Sequence, residues 1–213
     1  MRDADDVTNE LANLYAFLSR VIADPPDEAS VERLAEQEFP AEASLQALEN
    51  GFELLRTWQS EIDDPADEAE RLKRAHTALF VGPRPRLQIY ESWYAGDYLG
   101  KPLAAVKSSY RDLGIRPTDD LREEPDHAGV ELAALEMLAR GGDDEYRRAF
   151  LAAHGWWIPD LAEDVREKAD HPLYEGVGWL IEGVFQTDAY LLSLDSDDLS
   201  PGYQVPPSAR NGN

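Results

Sequence analysis

Apolar residues recur at intervals of three and four along most of this 213-residue chain, and this spacing constrains the fold more than any other feature. Val7, Leu11, Leu14, Leu18 and Ile22 form the first such series. Residues at these intervals lie on one face of an α-helix and can be buried together. No alternating apolar and polar run is long enough to indicate a β-strand. The sequence therefore predicts an all-α chain.

Proline and glycine indicate where the predicted helices begin and end. Asp64-Pro65 is a start signal, because proline suits the first helical turn, and Gly82-Pro83 ends the helix that follows. We expect Pro125 to open another helix, which ends at Gly141-Gly142. These boundaries predict roughly eight to ten helices.

The predicted helices form one domain followed by a tail. No internal repeat or convincing linker interrupts residues 6–195. The sequence therefore predicts a single globular helical domain over residues 1–195. Residues 196–213 are rich in Ser, Asp, Pro, Gly and Asn, a composition with little to bury, so we expect a disordered polar tail there.

Composition excludes several classes of function. The chain has no cysteine, which removes disulfides, thiolate metal sites and thiol nucleophiles. Its 43 acidic and 20 basic residues give a formal net charge of −23, so nucleic acid is a poor partner. Only four of the basic residues are lysine, and the acidic residues are spread along the whole chain. This composition favours the interpretation that the protein is adapted to a salt-rich cytoplasm. A basic partner is the alternative explanation.

Two stretches decide the expected location. The N-terminus MRDADDVTNE lacks the basic and apolar regions of a signal peptide. The apolar-rich stretch 173–194 is interrupted by Glu175, Glu182 and Asp188, whereas a membrane span needs about 20 mostly apolar residues. We therefore expect a cytoplasmic protein without stable membrane insertion.

The segment EPDHAGVEL, residues 124–132, is the first candidate site. If Pro125 lies in the first helical turn, His127 and Glu131 share a face, and Asp126 lies near open amide donors. That arrangement could hold an anion or a metal, or move a proton. The alternative is structural, since acidic residues in a first turn stabilise a helix by about 0.3–1 kcal/mol.

The second candidate is the stretch HTALFVGPRPRLQIYESWY, residues 76–94. Leu79 and Phe80 lie on a periodic helix face, which favours a place in the core. Tyr90 and Trp93 follow an irregular loop and could line an apolar groove, because such side chains combine an apolar body with a polar tip. Glu91 between them could hold a cation or be solvated. No phosphate-binding loop, dinucleotide fingerprint or nucleophile elbow accompanies either candidate.

Taken together, these motifs resemble a known family. LFVGP and YESWY, then EPDHAGVELAALEML, then FLAAHGWWIPDL are similar in order and spacing to the TorD/DmsD family of molybdoenzyme maturation chaperones, which is related to NarJ. The similarity extends over about residues 8–195. The most specific piece runs from Pro125 to Leu132.

The resemblance implies an all-helical, non-enzymatic chaperone with no cofactor of its own, and it leaves open whether the chain is a monomer or a homodimer. Its expected partner is the catalytic subunit of a molybdopterin oxidoreductase, bound through the twin-arginine leader or the body before cofactor insertion and export or assembly. An aromatic residue often precedes the LF pair in this family, and His76 stands there instead. The peptide-binding positions carried over, with Trp93 added from its own pattern, are Leu79, Phe80, Gly82, Pro83, Tyr90, Glu91, Trp93, Pro125, Asp126, His127 and Glu131.

Three hypotheses follow from these residues. In the first, the apolar part of a leader binds to Leu79, Phe80, Tyr90 and Trp93. The arginines of the leader then pair with the carboxylate of Asp126, Glu91 or Glu131. In the second, Asp126, His127 and Glu131 serve a metal-binding or hydrolytic helical enzyme. In the third, the chain is a generic helical scaffold with no preference for a twin-arginine leader.

Overall fold

The computed structural model of the protein describes residues 4–116 and 121–201 and shows an all-α fold. Within these residues the only pairing of extended backbone is an isolated antiparallel bridge between Tyr90 and His127. The prediction of an all-α chain with roughly eight to ten helices is confirmed. The α-helices are α1 (Ala4–Ala23), α2 (Glu28–Glu36), α3 (Gln46–Ser60), α4 (Pro65–His76), α5 (Glu91–Tyr94), α6 (Lys101–Asp112), α7 (Ala128–Gly141), α8 (Asp144–His154), α9 (Ile158–Lys168) and α10 (Pro172–Leu191).

Two short segments of other helical geometry complete the element order. A π-helix, Thr77–Val81, continues α4, and a 3₁₀-helix, Gly155–Trp157, lies between α8 and α9. Single-turn π-helical segments occur often at functional sites. Of the tail predicted for residues 196–213, residues 202–213 lie outside the described residues, and the boundary at 195 stays a prediction.

Most helix boundaries lie where the sequence places them. Asp64 caps α4, because its Oδ1 accepts the backbone N–H groups of Ala66 at 2.8 Å and Asp67 at 3.2 Å. Gly142 ends α7 with a φ of 66°, a left-handed conformation that favours glycine. The start and stop signals read from the sequence therefore act as predicted at these positions.

The prediction that Pro125 opens a helix is wrong. Helix α7 begins at Ala128, and His127 is its N-cap residue with extended backbone, φ −74° and ψ 136°. The residues before α7 form backbone hydrogen bonds with residues 89–91 instead. The N–H of Glu91 donates to the carbonyl of Asp126 at 2.9 Å, and the N–H of Ala128 donates to the carbonyl of Ile89 at 2.8 Å. These long-range bonds hold residues 126–128 out of the helical conformation.

The chain divides into two compact units, of which the first comprises Met1–Ser19, Ile89–Trp157 and Thr187–Asn213. Its core contains large side chains of α1, α7 and α8 together with the 3₁₀-helix. Those with almost no exposed surface include Tyr15, Leu135, Leu151 and Trp157. This packing surrounds the segment from Ile89 to Ser92, which is buried at three of its four positions.

The second unit comprises Arg20–Gln88 and Ile158–Gln186. Helices α3 and α10 pack closely in it, because a Cβ atom at Gly51 would lie 2.7 Å from Cδ2 of Leu180. Leu55, Leu72 and Tyr174 are fully buried in the same unit. The π-helix belongs to this unit and contributes Leu79 and Phe80 to its core.

Helix α10 is apolar on most of its surface, as expected for a buried helix. Leu173, Val177, Leu180 and Val184 are all buried. Among the residues the structure describes, no helix combines the length and the apolar character needed to cross a membrane.

Candidate functional site

Three carboxylic acid side chains lie buried together in the first unit, and we call them the carboxylate cluster: Glu91, Asp126 and Glu131. Glu91 begins α5, Asp126 lies in the turn before α7, and Glu131 lies in the first turn of α7. Each is no more than 2% exposed. Burial of an ionised carboxylate is costly unless hydrogen bonds compensate it, so the partners of each residue decide its charge.

Glu91 is held by donors from the end of α8 and the 3₁₀-helix. Its Oε2 lies 2.9 Å from Nδ1 of His154, and its Oε1 accepts the indole N–H of Trp156 at 2.8 Å. The other ring nitrogen of His154 lies 2.8 Å from the hydroxyl of Ser109. Glu91 is therefore the best satisfied member of the carboxylate cluster.

Asp126 ties the turn before α7 to the start of α5. Its Oδ2 accepts the backbone N–H of Ser92 at 3.1 Å, whereas its Oδ1 has no hydrogen-bond partner among the described residues. Burial raises the pKa of Asp126, the hydrogen bonds from Ser92 oppose that shift, and the charge of Glu91 adds to it. The side chain of Asp126 thus fixes the backbone at the start of α5.

Glu131 is the member with the strongest preference for a proton. Its Oε2 accepts the indole N–H of Trp157 at 3.2 Å, and its Oε1 meets no donor within the described part of the chain. Burial raises the pKa of Glu131 well above its ordinary value, and the charges of Glu91 and Asp126 raise it further. The surroundings of Glu131 therefore favour its neutral, protonated form.

His127 works as a cap and as a ring contact. Its Nδ1 accepts the backbone N–H of Gly129 at 3.1 Å, and its ring lies edge-on to Tyr90 with centroids 5.2 Å apart. Within residues 4–116 and 121–201, no three His, Asp or Glu side chains are placed to hold a metal ion together. In this structure His127 therefore caps α7 and packs against Tyr90.

Next to the carboxylate cluster, apolar side chains are exposed, and we call Tyr90, Trp93, Tyr98 and Leu99 the aromatic surface. Trp93 is 52% exposed, and Tyr98 and Leu99 are each 48% exposed. The ring of Tyr98 lies edge-on to Trp93, with centroids 5.9 Å apart, and to Tyr90, at 5.7 Å. Such ring pairs are rigid and lose little entropy when a partner binds.

Polar contacts fix the aromatic surface from below and at its edge. The backbone N–H of Leu99 donates to Oγ of the buried Ser92 at 3.1 Å, and the hydroxyl of Tyr90 donates to Oε2 of the exposed Glu123 at 2.8 Å. Leu99 also has a φ of 59°, which is strained for a branched residue. Strain of this kind persists where the surrounding structure imposes it. The exposed position of Leu99 is therefore set by the backbone conformation of the loop.

The remaining predicted positions lie in the second unit. Leu79 and Phe80 are buried, as their periodicity favours, and Phe80 lies edge-on to His76 at 5.2 Å and to Tyr174 at 5.7 Å between ring centroids. Gly82 ends the π-helix by donating its N–H to the carbonyl of Thr77 at 2.7 Å. His76, at the position that departs from the family pattern, is itself a buried ring partner of Phe80.

Several residues of this site are missed by reasoning from the sequence. Trp156 and Trp157 are not among the predicted site residues, although both indole N–H groups donate to the carboxylate cluster. A signal existed, because a buried tryptophan needs an acceptor for its N–H. Tyr98 and Leu99 are also missed; their signal is an apolar pair between Gly96 and Gly100, outside any helical period.

The residues described above fall almost entirely inside one region of sequence similarity. The sequence model of the nitrate reductase delta subunit family matches residues 40–163, which is more than half of the chain. The chain belongs to this family. Comparison with curated proteins gives no match. The matched region contains all eleven predicted positions and the His154–Trp157 segment.

Membership identifies the general role. The nitrate reductase delta subunit family is a family of molybdoenzyme maturation chaperones and is not a family of catalysts. Its members act with the catalytic subunit of a molybdoenzyme, nitrate reductase. The resemblance to the TorD and NarJ chaperones predicted from the sequence is therefore confirmed.

Proposed function

We propose that this protein is a cytoplasmic chaperone for the catalytic subunit of a DMSO-reductase-type molybdoenzyme. It binds the twin-arginine leader or the adjoining body of that subunit before cofactor insertion, and releases it for export or assembly. The observation that carries the proposal is the aromatic surface, which is exposed beside the buried and hydrogen-bonded carboxylate cluster. Family membership supplies the class of client.

The aromatic surface receives the apolar stretch of the leader. The exposed apolar area is offered by Trp93, Tyr98 and Leu99. Tyr90 packs against the ring of Tyr98 at the less exposed edge of the aromatic surface. Tryptophan and tyrosine anchor many interfaces because they bury large areas with few rotatable bonds. Contact at this surface needs no prior opening of the core.

Carboxylates that reach solvent, and not the buried ones, are the natural acceptors for the arginine pair. Glu123 is exposed at the edge of the aromatic surface, where it accepts the hydroxyl of Tyr90. Asp97 is half-buried in the loop before Tyr98, and its Oδ2 also accepts the backbone N–H of Lys101. A guanidinium group meets a carboxylate through two parallel hydrogen bonds. Glu91, Asp126, His127 and Glu131 act in this proposal by positioning the surface.

The second group of predicted positions takes a supporting role. Leu79 and Phe80 are buried, and Gly82 shapes the end of the π-helix. Pro83 is exposed in the loop that follows. We propose that these residues maintain the local conformation and that Pro83 alone among them is open to a client in the described conformation.

Salt decides which forces contribute to binding. At ionic strength near 1 M the screening length falls to about 3 Å, so the net charge of −23 gives little long-range attraction for an arginine pair. Binding then rests on apolar burial and on ion pairs at contact distance. A salt-rich cytoplasm, proposed from the acidic composition, would favour such an interface.

A peptide titration tests the proposal. Calorimetry measures the binding of three synthetic peptides: a twin-arginine leader of a DMSO-reductase-family subunit, the same leader with both arginines replaced by lysine, and a scrambled version. We expect the leader to bind at least about tenfold more tightly than the scrambled peptide, and to keep most of its affinity between roughly 0.1 M and 1 M salt.

Two results would contradict the proposal. Equal affinity for leader and scrambled peptide would indicate a generic scaffold. A collapse of affinity in high salt would indicate attraction by the bulk charge of −23 and not contact at the aromatic surface.

A further inference from the structure

A serine, a histidine and a glutamate of the first unit are joined by consecutive hydrogen bonds, and we call Ser109, His154 and Glu91 the Ser–His–Glu triad. Oγ of Ser109 lies 2.8 Å from Nε2 of His154, and Nδ1 of the same ring lies 2.9 Å from Oε2 of Glu91. Ser109 lies in the last turn of α6, His154 ends α8 and Glu91 begins α5. Because three helices supply its members, the triad has no local sequence motif.

The imidazole of the triad is held in one orientation. Oε2 of Glu91 accepts the hydrogen of Nδ1, which leaves Nε2 as the acceptor for the hydroxyl of Ser109. Glu91 is fixed in turn, since its Oε1 accepts the indole N–H of Trp156 at 2.8 Å. The ring of Phe150 packs against the imidazole with centroids 4.8 Å apart. The lone pair of Nε2 is therefore directed at the hydroxyl.

Burial decreases along the triad towards the serine. Glu91 has no exposed surface and His154 is 2% exposed, whereas Ser109 is half-buried. The base and the residue that orients it are thus enclosed by protein, and the hydroxyl is the end that a small solute reaches. A nucleophile at the surface with its base behind it is the arrangement that nucleophilic catalysis requires.

The neighbouring serine on α6 shows what the triad adds. Ser108 is also half-buried, so the two hydroxyl groups have similar access to solvent. Oγ of Ser108 accepts a hydrogen bond from Nη2 of Arg111 at 3.4 Å. A guanidinium donates hydrogen bonds and does not take up a proton, so Arg111 cannot act as a base for Ser108. Only one hydroxyl of this pair therefore faces an imidazole lone pair.

We propose that Ser109 is a nucleophile that accepts the acyl group of a small neutral ester. The order of the groups is that of a nucleophile, its base and the acid that orients the base, an arrangement recognised by geometry and not by sequence position. Ser109 and His154 touch the reacting atoms, and Glu91 is a positioning residue that acts through His154.

The proposed step transfers one acyl group. Oγ of Ser109 bonds to the carbonyl carbon of the ester, and Nε2 of His154 takes the hydroxyl proton. The bond between that carbon and the leaving oxygen breaks, and His154 returns the proton to the leaving oxygen. The products are acylated Ser109 and a free alcohol, and nothing is oxidised or reduced.

Charge and access define the class of ester. The net charge of −23 repels anionic esters, which favours a neutral acyl donor. Ser109 is half-buried on a helix, which favours a small acyl group over a bulky one. This reaction needs no client protein, so it goes beyond the proposed chaperone role and is tested separately from it.

The test is acetylation of the full chain by p-nitrophenyl acetate, a small neutral ester. Release of nitrophenolate gives the overall rate, and mass spectrometry of peptides locates the acetyl group. General base catalysis contributes roughly 10²–10⁴-fold, so we expect Ser109 to be acetylated at least about 100-fold faster than Ser108. Ser109→Ala should abolish the fast release, and the matched variant Ser108→Ala should keep it within about twofold.

Two further variants test the base and its orientation. His154→Ala should slow acetylation of Ser109 at least about 100-fold, and added imidazole should restore part of the rate by occupying the space of the lost ring. Glu91→Gln should slow it about tenfold or more in the wild-type background, because an amide does not hold the imidazole in the same tautomer. Combined with His154→Ala, Glu91→Gln should have no further effect, as expected for a residue that acts through His154.

Equal acetylation of the two serines in the wild-type protein, or no acetyl group on Ser109, overturns the proposal without reference to any variant. A rate at Ser109 that is unchanged in folded His154→Ala also overturns it. The leader titration separates these results from the proposed function. Ser109→Ala should bind the twin-arginine leader like the wild type, so failure of acetylation alone leaves the chaperone proposal standing.

Discussion

Neighbouring residues of one short helix have opposite environments in this protein. Glu91 and Ser92 have no exposed surface, whereas Trp93, the next residue, is 52% exposed. The buried side chains belong to the carboxylate cluster and its backbone contacts, and the exposed one belongs to the aromatic surface. The most distinctive motif of the sequence, Pro125 to Leu132, is therefore buried beneath the site, and the client contact that we propose lies in the exposed loop beside it.

The two regions also differ in what they cost the folded state. The carboxylate cluster leaves one oxygen each of Asp126 and Glu131 without a donor among the described residues. Such a network contributes little net stability, but it fixes the position of the elements that carry it. The aromatic surface, in contrast, leaves apolar area exposed to water, as interaction sites often do.

Among changes to the carboxylate cluster and the α7 cap, removal of the best satisfied carboxylate should lower stability most. Glu91→Ala leaves the buried donors of His154 and Trp156 without an acceptor, so we expect the free energy of unfolding to fall by about 3 kcal/mol. Denaturant unfolding measures the change. Glu124→Ala, an exposed matched variant, should cost less than about 0.5 kcal/mol, and similar losses in both would show that Glu91 is not a structural centre.

The protonation of Glu131 should make stability depend on pH. Because its pKa is raised in the folded state, the folded protein holds this proton more tightly than the unfolded chain does. The resulting stabilisation is complete below the ordinary glutamate range and is lost as pH rises through the raised pKa. Glu131→Gln should therefore flatten the decline of the unfolding free energy between acid and neutral pH.

The matched variant for this pH profile is Glu145→Gln, which changes an exposed glutamate. Its unfolding free energy should follow the wild-type curve in slope at every pH. A Glu131→Gln profile parallel to the wild type would show that Glu131 is ionised in the folded protein at neutral pH.

Loss of the α7 cap should have a moderate effect. His127→Ala removes the acceptor for the N–H of Gly129, and an N-cap of this kind contributes about 1 kcal/mol. His127→Asn supplies another good cap and should restore stability without restoring the ring contact with Tyr90. Thermal unfolding distinguishes the two, and equal instability of both variants would assign the effect to the ring.

Truncation of the aromatic surface should have the smallest effect on stability. Trp93→Ala and Tyr98→Ala remove exposed rings, so each should change the free energy of unfolding by less than about 0.5 kcal/mol. Trp157→Ala, which removes a buried ring, should cost about 3–5 kcal/mol. A large loss from Trp93→Ala would mean that the ring is structural.

The fold was predictable from the sequence because most of its signals are local. Asp64-Pro65, Gly82, Gly114 and Gly142 act within one helical turn, and each lies at a helix end in the structure. The start of α7 was not predictable by the same means. It depends on hydrogen bonds between residues 126–128 and 89–91, more than 30 positions apart, which no local pattern contains.

The candidate site was predictable in its residues but not in its arrangement. Glu91, Asp126 and Glu131 stand among 43 acidic residues, so nothing in composition indicates that these three are buried. Their burial follows from the indole donors of Trp156 and Trp157 and from the turn at Asp126, which only the folded chain brings together. The exposed pair Tyr98 and Leu99 depends on a strained loop in the same way.

The most direct test of this account is the affinity of one twin-arginine leader for two variants, measured near 1 M salt. Trp93→Ala should weaken binding by about tenfold or more, because it removes a central exposed anchor. Glu131→Gln should bind within about twofold of the wild type, since it keeps the shape of a buried neutral side chain. The reverse order, with Glu131→Gln impaired and Trp93→Ala unchanged, would contradict the assignment of client contact to the aromatic surface.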